Sequence, residues 1–268
     1  MHQNIIITGA SGFIGQALIK EFIRKKFIFK AFSRKKTNYS NLVKKYNNII
    51  PIKNSILIHL AQSNESKKNY KNEVEIVNKL IKKNWKHIIF ASSTKLYWDK
   101  STKPHKESEK INPYDNYTKM KKLSEQIVLK KGGTVFRISN VYGSGMSKKT
   151  VIGLIRDKIL KRKKIILREM QSVRDFVFID DVIRAFIKAL RIKPKKILNI
   201  SYGSSYSIEE VIKTIQKILK LKTIEFQTKQ KLKKNSIILV DNNRARALLR
   251  WNPKYSISRG LKKTFLKR

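Results

Sequence analysis

Close to its start the chain carries the apolar run Ile5-Ile6-Ile7, closed by Thr8 and a glycine-rich turn, which predicts a buried strand over residues 4–8. Behind it, FIGQALIKEFIRKK has apolar residues three and four apart, the spacing of a helix that buries one face. FIFKAF predicts a second strand, and IIPI and SILIHLA are further short apolar runs, the latter apolar enough to be covered on both faces. Residues 72–84 read as a helix with Val74, Val77, Leu80 and Ile81 inward, followed by the strand HIIFASS. A helix over 114–131 leads into the strand TVFRIS. Strands alternating with helices in this way predict an α/β chain with a Rossmann-like, doubly wound parallel sheet.

Beyond residue 142 the alternation loosens. VYGSGM is a glycine-containing break, 151–163 a basic helix, and RDFVFIDD a strand that meets the next helix at Asp180 and Asp181. Those two acids read as helix-terminal residues rather than an acid–base pair. Ser207 with Glu210 makes a capping box for a helix over 208–220, and WNPKYSISRGLKKTF is a turn with a short last helix. The division expected is a dinucleotide-binding domain over residues 1–142, with 173–200 crossing back to it, and a smaller substrate-binding lobe over 143–268.

At 268 residues and 41% hydrophobic content the chain can bury a substantial core. It has no cysteine, which excludes disulfides and zinc–thiolate sites and fits a reducing cytoplasm. The start lacks the pattern of a signal peptide, and no apolar stretch reaches the length of a membrane span. The four histidines are scattered without ligand spacing, so no metal site is expected. The net charge of +44 changes the picture most, because it predicts affinity for nucleic acid or another polyanion. However, 48 of the 62 basic residues are Lys, spread along the whole chain, and Ile and Asn are abundant too. That is the signature of drift toward A/T-rich codons, with nonspecific polyanion binding as a by-product.

Candidate chemistry starts with TGASGFIG, residues 8–15, set between a strand and a helix. Gly9 permits the tight turn, Gly12 lets backbone approach a pyrophosphate, and Gly15 lets helix and strand pack closely. Free N–H groups at the helix start, around Ser11, Phe13 and Ile14, would face the phosphates. Further on, Tyr117 and Lys121 stand one helical turn apart. Spacing alone decides little in a chain so rich in lysine, although Tyr117 is the one tyrosine of ten with a lysine at that offset. Tyr114, the rival phenol, has Thr118 there instead.

Together these motifs resemble the short-chain dehydrogenase/reductase superfamily, and the rest of the chain resembles its extended branch, the NAD(P)-dependent sugar-nucleotide epimerases, dehydratases and reductases. His59-Leu60-Ala61 resembles that branch's strand beside the cofactor, Asn72 its helix asparagine, and ASSTKLY (91–97) its serine segment. YTKMKKLSE (117–125), FRISNVYG (136–143), RDFVFIDDV (174–182) and the ending around Trp251–Pro253 are similar to its later motifs. The resemblance implies that Tyr117 exchanges a proton with a sugar hydroxyl or ketone while Lys121 favours the phenolate and holds the nicotinamide ribose. It also implies that Ser93 orients the substrate, with Thr94 beside it, and that Asn140 and Arg174 meet the substrate's diphosphate. Thr94 and Lys95 stand where the branch's 4,6-dehydratases carry an Asp-Glu pair, which argues against dehydration.

Cofactor choice is legible at the end of the second strand. NAD sites use an acid about 20 residues beyond the glycines, yet no Asp or Glu occurs between Glu21 and Glu65. Ser33, Arg34 and Lys35 stand there instead, so NADP is expected in preference to NAD. Between AFSRKK and HLA there is little room for the branch's usual strand–helix–strand, and Asn54 replaces its Asp. The function expected is hydride transfer at the 4-position of a nucleotide-activated sugar, by epimerisation or by reduction of a 4-keto sugar with NADPH. A homodimer is compatible with the resemblance. The reading from a different class is a dinucleotide-sensing or RNA-binding protein without turnover, which has no use for the Ser93, Tyr117 and Lys121 constellation.

Overall fold

The computed structural model describes residues 4–61, 69–97, 103–167, 170–228 and 236–266. The first half alternates as the periodicity predicts: β1 (Ile5–Thr8), α1 (Phe13–Arg24), β2 (Phe29–Ser33), β3 (Asn41–Leu42), β4 (Ile56–His59), α2 (Tyr70–Ile81), β5 (His87–Ser93), α3 (Asn116–Lys130) and β6 (Thr134–Ile138). After it come β7 (Asn140–Tyr142), α4 (Val151–Leu160), β8 (Ile165–Leu167), β9 (Val173–Phe178), α5 (Ile179–Ile192) and β10 (Ile197–Ile200). The last stretch holds β11 (Ser205–Ser207), α6 (Ile208–Leu219), β12 (Phe226–Thr228), β13 (Ile237–Ile238), α7 (Asn243–Leu249) and α8 (Ile257–Leu266).

Seven parallel strands form the main sheet in the order β10-β6-β5-β4-β1-β2-β3. From β1 the chain runs outward through β2 and β3, then crosses to β4 on the other side of β1 and proceeds through β5 and β6. The reversal between β1 and β4 opens a crevice at the carboxyl ends of those strands, where a ligand of such a sheet binds. Alternation along each strand splits the core into two layers. Ile5, Ile7, Ile89, Ala91 and Phe136 pack beneath α1 and α5, while Ile6, Leu57, Ile88, Phe90 and Val135 pack beneath α2 and α3.

β7, β9, β11 and β13 build a smaller sheet, and between β9 and β11 the chain returns to the large sheet as β10, its edge strand beside β6. The turn around Trp251 is tied to the start of α5. Trp251 is fully buried and its indole N–H donates to the Asp181 carbonyl at 2.9 Å. The Asp181 carboxylate accepts the backbone N–H groups of Lys254 and Tyr255, and Asp180 pairs with Lys263 at 2.7 Å. Both acids lie in the first turn of α5, where a negative charge suits the helix dipole, and they fasten the last segment of the chain.

The structure refines the sequence reading at the edge of the large sheet and corrects it at the start of α3. IIPI is no strand: the large sheet instead ends in the two-residue β3, followed by a 3₁₀ turn at Tyr46–Asn48. No α-helix fills this stretch, in line with the little room between AFSRKK and HLA, and Asn54 takes a left-handed conformation (φ 61°) in the turn into β4, one that Asn tolerates better than most residues. Finally, α3 starts at Asn116 rather than 114, because Asp115 caps it through a hydrogen bond from the Thr118 N–H. No helix among the described residues is long and apolar enough to cross a membrane.

Candidate active site

At the mouth of the crevice, Gly9 has φ 76°, and a Cβ there would come within 2.7 Å of the Ala61 nitrogen and 2.8 Å of the Leu60 carbonyl carbon. Its glycine is therefore required twice, by conformation and by the close approach of the chain after β4. Gly15 meets the Gly9 carbonyl just as closely, so helix and turn are pressed together. Gly12 differs: among the described residues outside its own chain neighbours and helix, only the Gly9 carbonyl oxygen, at 3.2 Å, lies within 4 Å of where its Cβ would stand. No side chain caps α1, which leaves the N–H groups of its first turn directed outward. An uncapped helix start behind an open glycine fits the diphosphate of a dinucleotide.

The end of β2 sorts its three candidates. Ser33 is fully buried, donates its hydroxyl to the Lys35 carbonyl and meets the Ser40 hydroxyl at 3.0 Å. It shapes the turn and is not placed to be a ligand. Arg34 and Lys35 are exposed, and the Arg34 guanidinium lies 5.7 Å from the centre of the Tyr46 ring.

Deeper in, β5 ends at Ser93, and register pairs Ser93 with Ile138 of β6. The Ser93 hydroxyl is hydrogen-bonded to the Tyr117 phenol. Burial pushes that phenol up from its ordinary range, and Ser93 and the Lys95 charge pull it back only in part. Lys121 is 4% exposed, donates to the Ala91 carbonyl at 2.6 Å and lies 5.8 Å from the Tyr117 ring. Burial lowers its ammonium to about 8, against support from Glu125 and Glu73. Desolvation outweighs the charges that the protein itself sets near the phenol. Beside this cluster His59 is buried, bonded to Thr8 at 2.7 Å and stacked on Phe90. Burial and then the Lys121 charge lower it to about 3, so it is neutral and no acid at working pH.

A family model for the NAD dependent epimerase/dehydratase family matches residues 5–201. The chain belongs to that family. Among its relatives, a dTDP-4-dehydro-6-deoxyglucose reductase of Escherichia coli is 30% identical, over 97% of this chain and 95% of that protein. A protein of Methanocaldococcus jannaschii described as a putative UDP-glucose 4-epimerase is 25% identical over 97% and 96%. Of solved structures, a UDP-glucose 4-epimerase of Thermotoga maritima with UDP-glucose superposes with a TM-score of 0.86, at 21% identity and 98% coverage of both chains. RMD from Pseudomonas aeruginosa complexed with NADPH superposes with a TM-score of 0.85, at 18% identity and 98% coverage of both. These two likenesses show the fold.

Within this epimerase/dehydratase chain the remaining candidates divide. Thr94 is buried beside Ser93 in the 3₁₀ turn Thr94–Leu96. Asn140 lies two residues past Ile138, at the same carboxyl edge as Ser93, and its amide donates to the Asp175 carbonyl at 3.0 Å. Arg174 donates to the Ser236 carbonyl at 2.7 Å and to the Ser236 hydroxyl at 2.6 Å. Asp175 is instead the buried anchor of the β10–β11 turn, accepting from Ser139 and from the N–H groups of Tyr202 and Gly203. Burial raises its carboxyl to about 6 despite those bonds. Asn72 is exposed, and the α2 residue that faces the cluster is Glu73, buried, with its charge felt at Lys121. The spacing 73, 77, 80, 81 was available in the sequence as one helix face, but a glutamate did not count as an inward residue.

Sequence reasoning also missed two arrangements around the tyrosine. Lys95 reaches out of the 3₁₀ turn to lie 5.3 Å from the Tyr117 ring and 5.4 Å from the Tyr114 ring. Tyr114 therefore does have a lysine beside it, and its 52% exposure is what separates it from Tyr117. Behind the helix, Glu125 and Arg137 form a buried pair at 2.8 Å. Ser92 donates to Glu125, and Arg137 donates to the Tyr97 hydroxyl at 3.1 Å. No local pattern reveals such a pair, since Glu125 comes from α3 and Arg137 from β6.

Proposed function

We propose that the protein reduces the 4-keto group of a nucleotide-activated sugar with NADPH, Tyr117 being the proton donor. What carries this reading is the Ser93–Tyr117 hydrogen bond, set with Lys121 behind the glycine turn. A bound nicotinamide supplies the hydride. Around it, the turn at Gly9, Ser11 and Gly12 and the start of α1 at Phe13, Ile14 and Gly15 would hold the diphosphate. Leu60 and Ala61 would border the dinucleotide, and Lys121 would hold its ribose. Burial keeps the Tyr117 phenol protonated at neutral pH, the state that gives a proton to a developing alkoxide. Ser93 would orient the same oxygen, with Thr94 beside it, and Asn140 and Arg174 would meet the substrate's diphosphate, Arg174 exchanging its Ser236 bonds for charge-assisted ones. The full-length likeness to the Escherichia coli reductase supports reduction over epimerisation.

The test is a panel of nucleotide sugars and their 4-keto forms. Stoichiometric loss of NADPH absorbance with a 4-keto sugar is expected. Interconversion of C4 epimers with no net change in the dinucleotide would replace this reading with epimerisation, which the likeness to UDP-glucose 4-epimerases supports.

Arg34 and Lys35 favour the 2′-phosphate of NADP, with Arg34 held over Tyr46. Arg34→Ala is expected to weaken NADPH about tenfold or more and to leave NADH nearly unchanged, as loss of one charge-assisted contact does. Isothermal titration with both dinucleotides decides it, and tighter NADH binding by the wild type would refute the assignment.

A further inference from the structure

We infer that Lys95 is a second cation for the phenol of Tyr117, held in place by Asp115, and that its charge helps to set when Tyr117 ionises. The inference rests on Tyr117 being the acid–base residue. Lys95 acts through Tyr117, so it is a positioning residue rather than a catalytic one.

The geometry is built from short links. Ser93 caps the 3₁₀ turn by accepting the Lys95 N–H at 3.1 Å, with the same hydroxyl that bonds the Tyr117 phenol. That turn sends the Lys95 side chain across to α3, where Nζ meets Asp115 Oδ2 at 2.6 Å. Asp115 is itself fixed as the N-cap of the helix that carries Tyr117 and Lys121. The outcome is an ammonium 5.3 Å from the centre of the Tyr117 ring, no farther than the 5.8 Å of Lys121. The charged and titratable groups near the ring are Lys95 from the turn, Tyr114 and the N-cap Asp115 just before α3, and Lys121 from α3 itself. Asp115 and Tyr114 oppose ionisation of the phenol, and Lys95 favours it.

The two lysines do different work. Burial brings Lys121 down to about 8, so it begins to lose its charge in mildly alkaline solution. Burial also pulls Lys95 down, but its bond to Asp115, together with the charge of Asp115 and the neighbouring Tyr114 and Tyr117, more than offsets this, and its ammonium ends above the ordinary range. Lys95 therefore stays charged where Lys121 does not. Nothing in local spacing announces it, because residues 95 and 117 lie far apart in sequence.

The experiment follows the Tyr117 Cζ resonance in the full chain labelled with 13Cζ-tyrosine, with saturating NADP⁺, over the pH range where circular dichroism stays native. Tyr117→Phe assigns the signal. Lys95→Met keeps the stem and removes the charge, and is expected to raise the Tyr117 midpoint by about one pH unit, the low end for a cation this close because Lys95 is partly exposed. Lys95→Arg, which keeps the charge, is expected to titrate as the wild type. A Lys95→Met midpoint equal to the wild type's, a Lys95→Arg midpoint that moves with it, or a Tyr117 that stays protonated in the wild type throughout would overturn the inference. Failure of the underlying acid–base reading shows itself separately, as full turnover in Tyr117→Phe.

Discussion

Tyr117→Phe is expected to lower turnover by about three orders of magnitude and to leave dinucleotide affinity within about twofold. The phenol is the one group hydrogen-bonded to Ser93 from α3 and flanked by two ammonium groups, so its hydroxyl has no substitute in the cluster. Removing one oxygen from a ring that stays in place disturbs neither the glycine turn nor Lys121. Tyr114→Phe is the control. It shares the Lys95 neighbour but is half exposed and lies outside the helix, and its turnover is expected to match the wild type's. Steady-state kinetics with parallel dinucleotide titrations separate these outcomes. Equal turnover in the two variants would end the mechanism.

Arg137→Met is expected to destabilise the fold by about 3–5 kcal/mol, the size associated with stranding one half of a buried ion pair. Side chains of Glu125 and Arg137 are each 3% exposed, and the guanidinium meets both carboxylate oxygens and the Tyr97 hydroxyl. Met leaves the buried Glu125 charge without its hydrogen-bonded counterion, with the Ser92 hydroxyl bonded to it and the Lys121 charge close enough to be felt. Adding Glu125→Leu to the same chain should recover much of the loss, because a buried pair gains little over apolar residues that fill its space. Urea unfolding of the single and double variants measures both effects. A single variant as stable as the wild type would show that water reaches the pair.

Much of the large sheet was legible because its strands are short apolar runs and its helices carry a buried stripe, both properties of single segments. Ser93, Tyr117 and Lys121 could be picked out by position in that order of elements, and the structure brings them together. What escaped is what sequence-distant segments decide jointly. Lys95 looks like one more lysine until Asp115 holds it over the ring. Glu73 reads as a surface acid until α2 packs against α3. Ser33 reads as a ligand until Ser40 and the Lys35 carbonyl take its hydroxyl. The small strands of the C-terminal half, two or three residues each, lack the length to show alternation.

The stretch between β2 and β4 has one more consequence. With no helix there, the large sheet stops at a strand of two residues, Asn41–Leu42. An edge that short offers another chain almost no ladder to extend, which is one way a β-sheet protein is kept from edge-to-edge aggregation. Growth by strand addition onto β3 is limited to those two residues, so copies of this chain meeting at that strand would do so mainly through side chains rather than backbone.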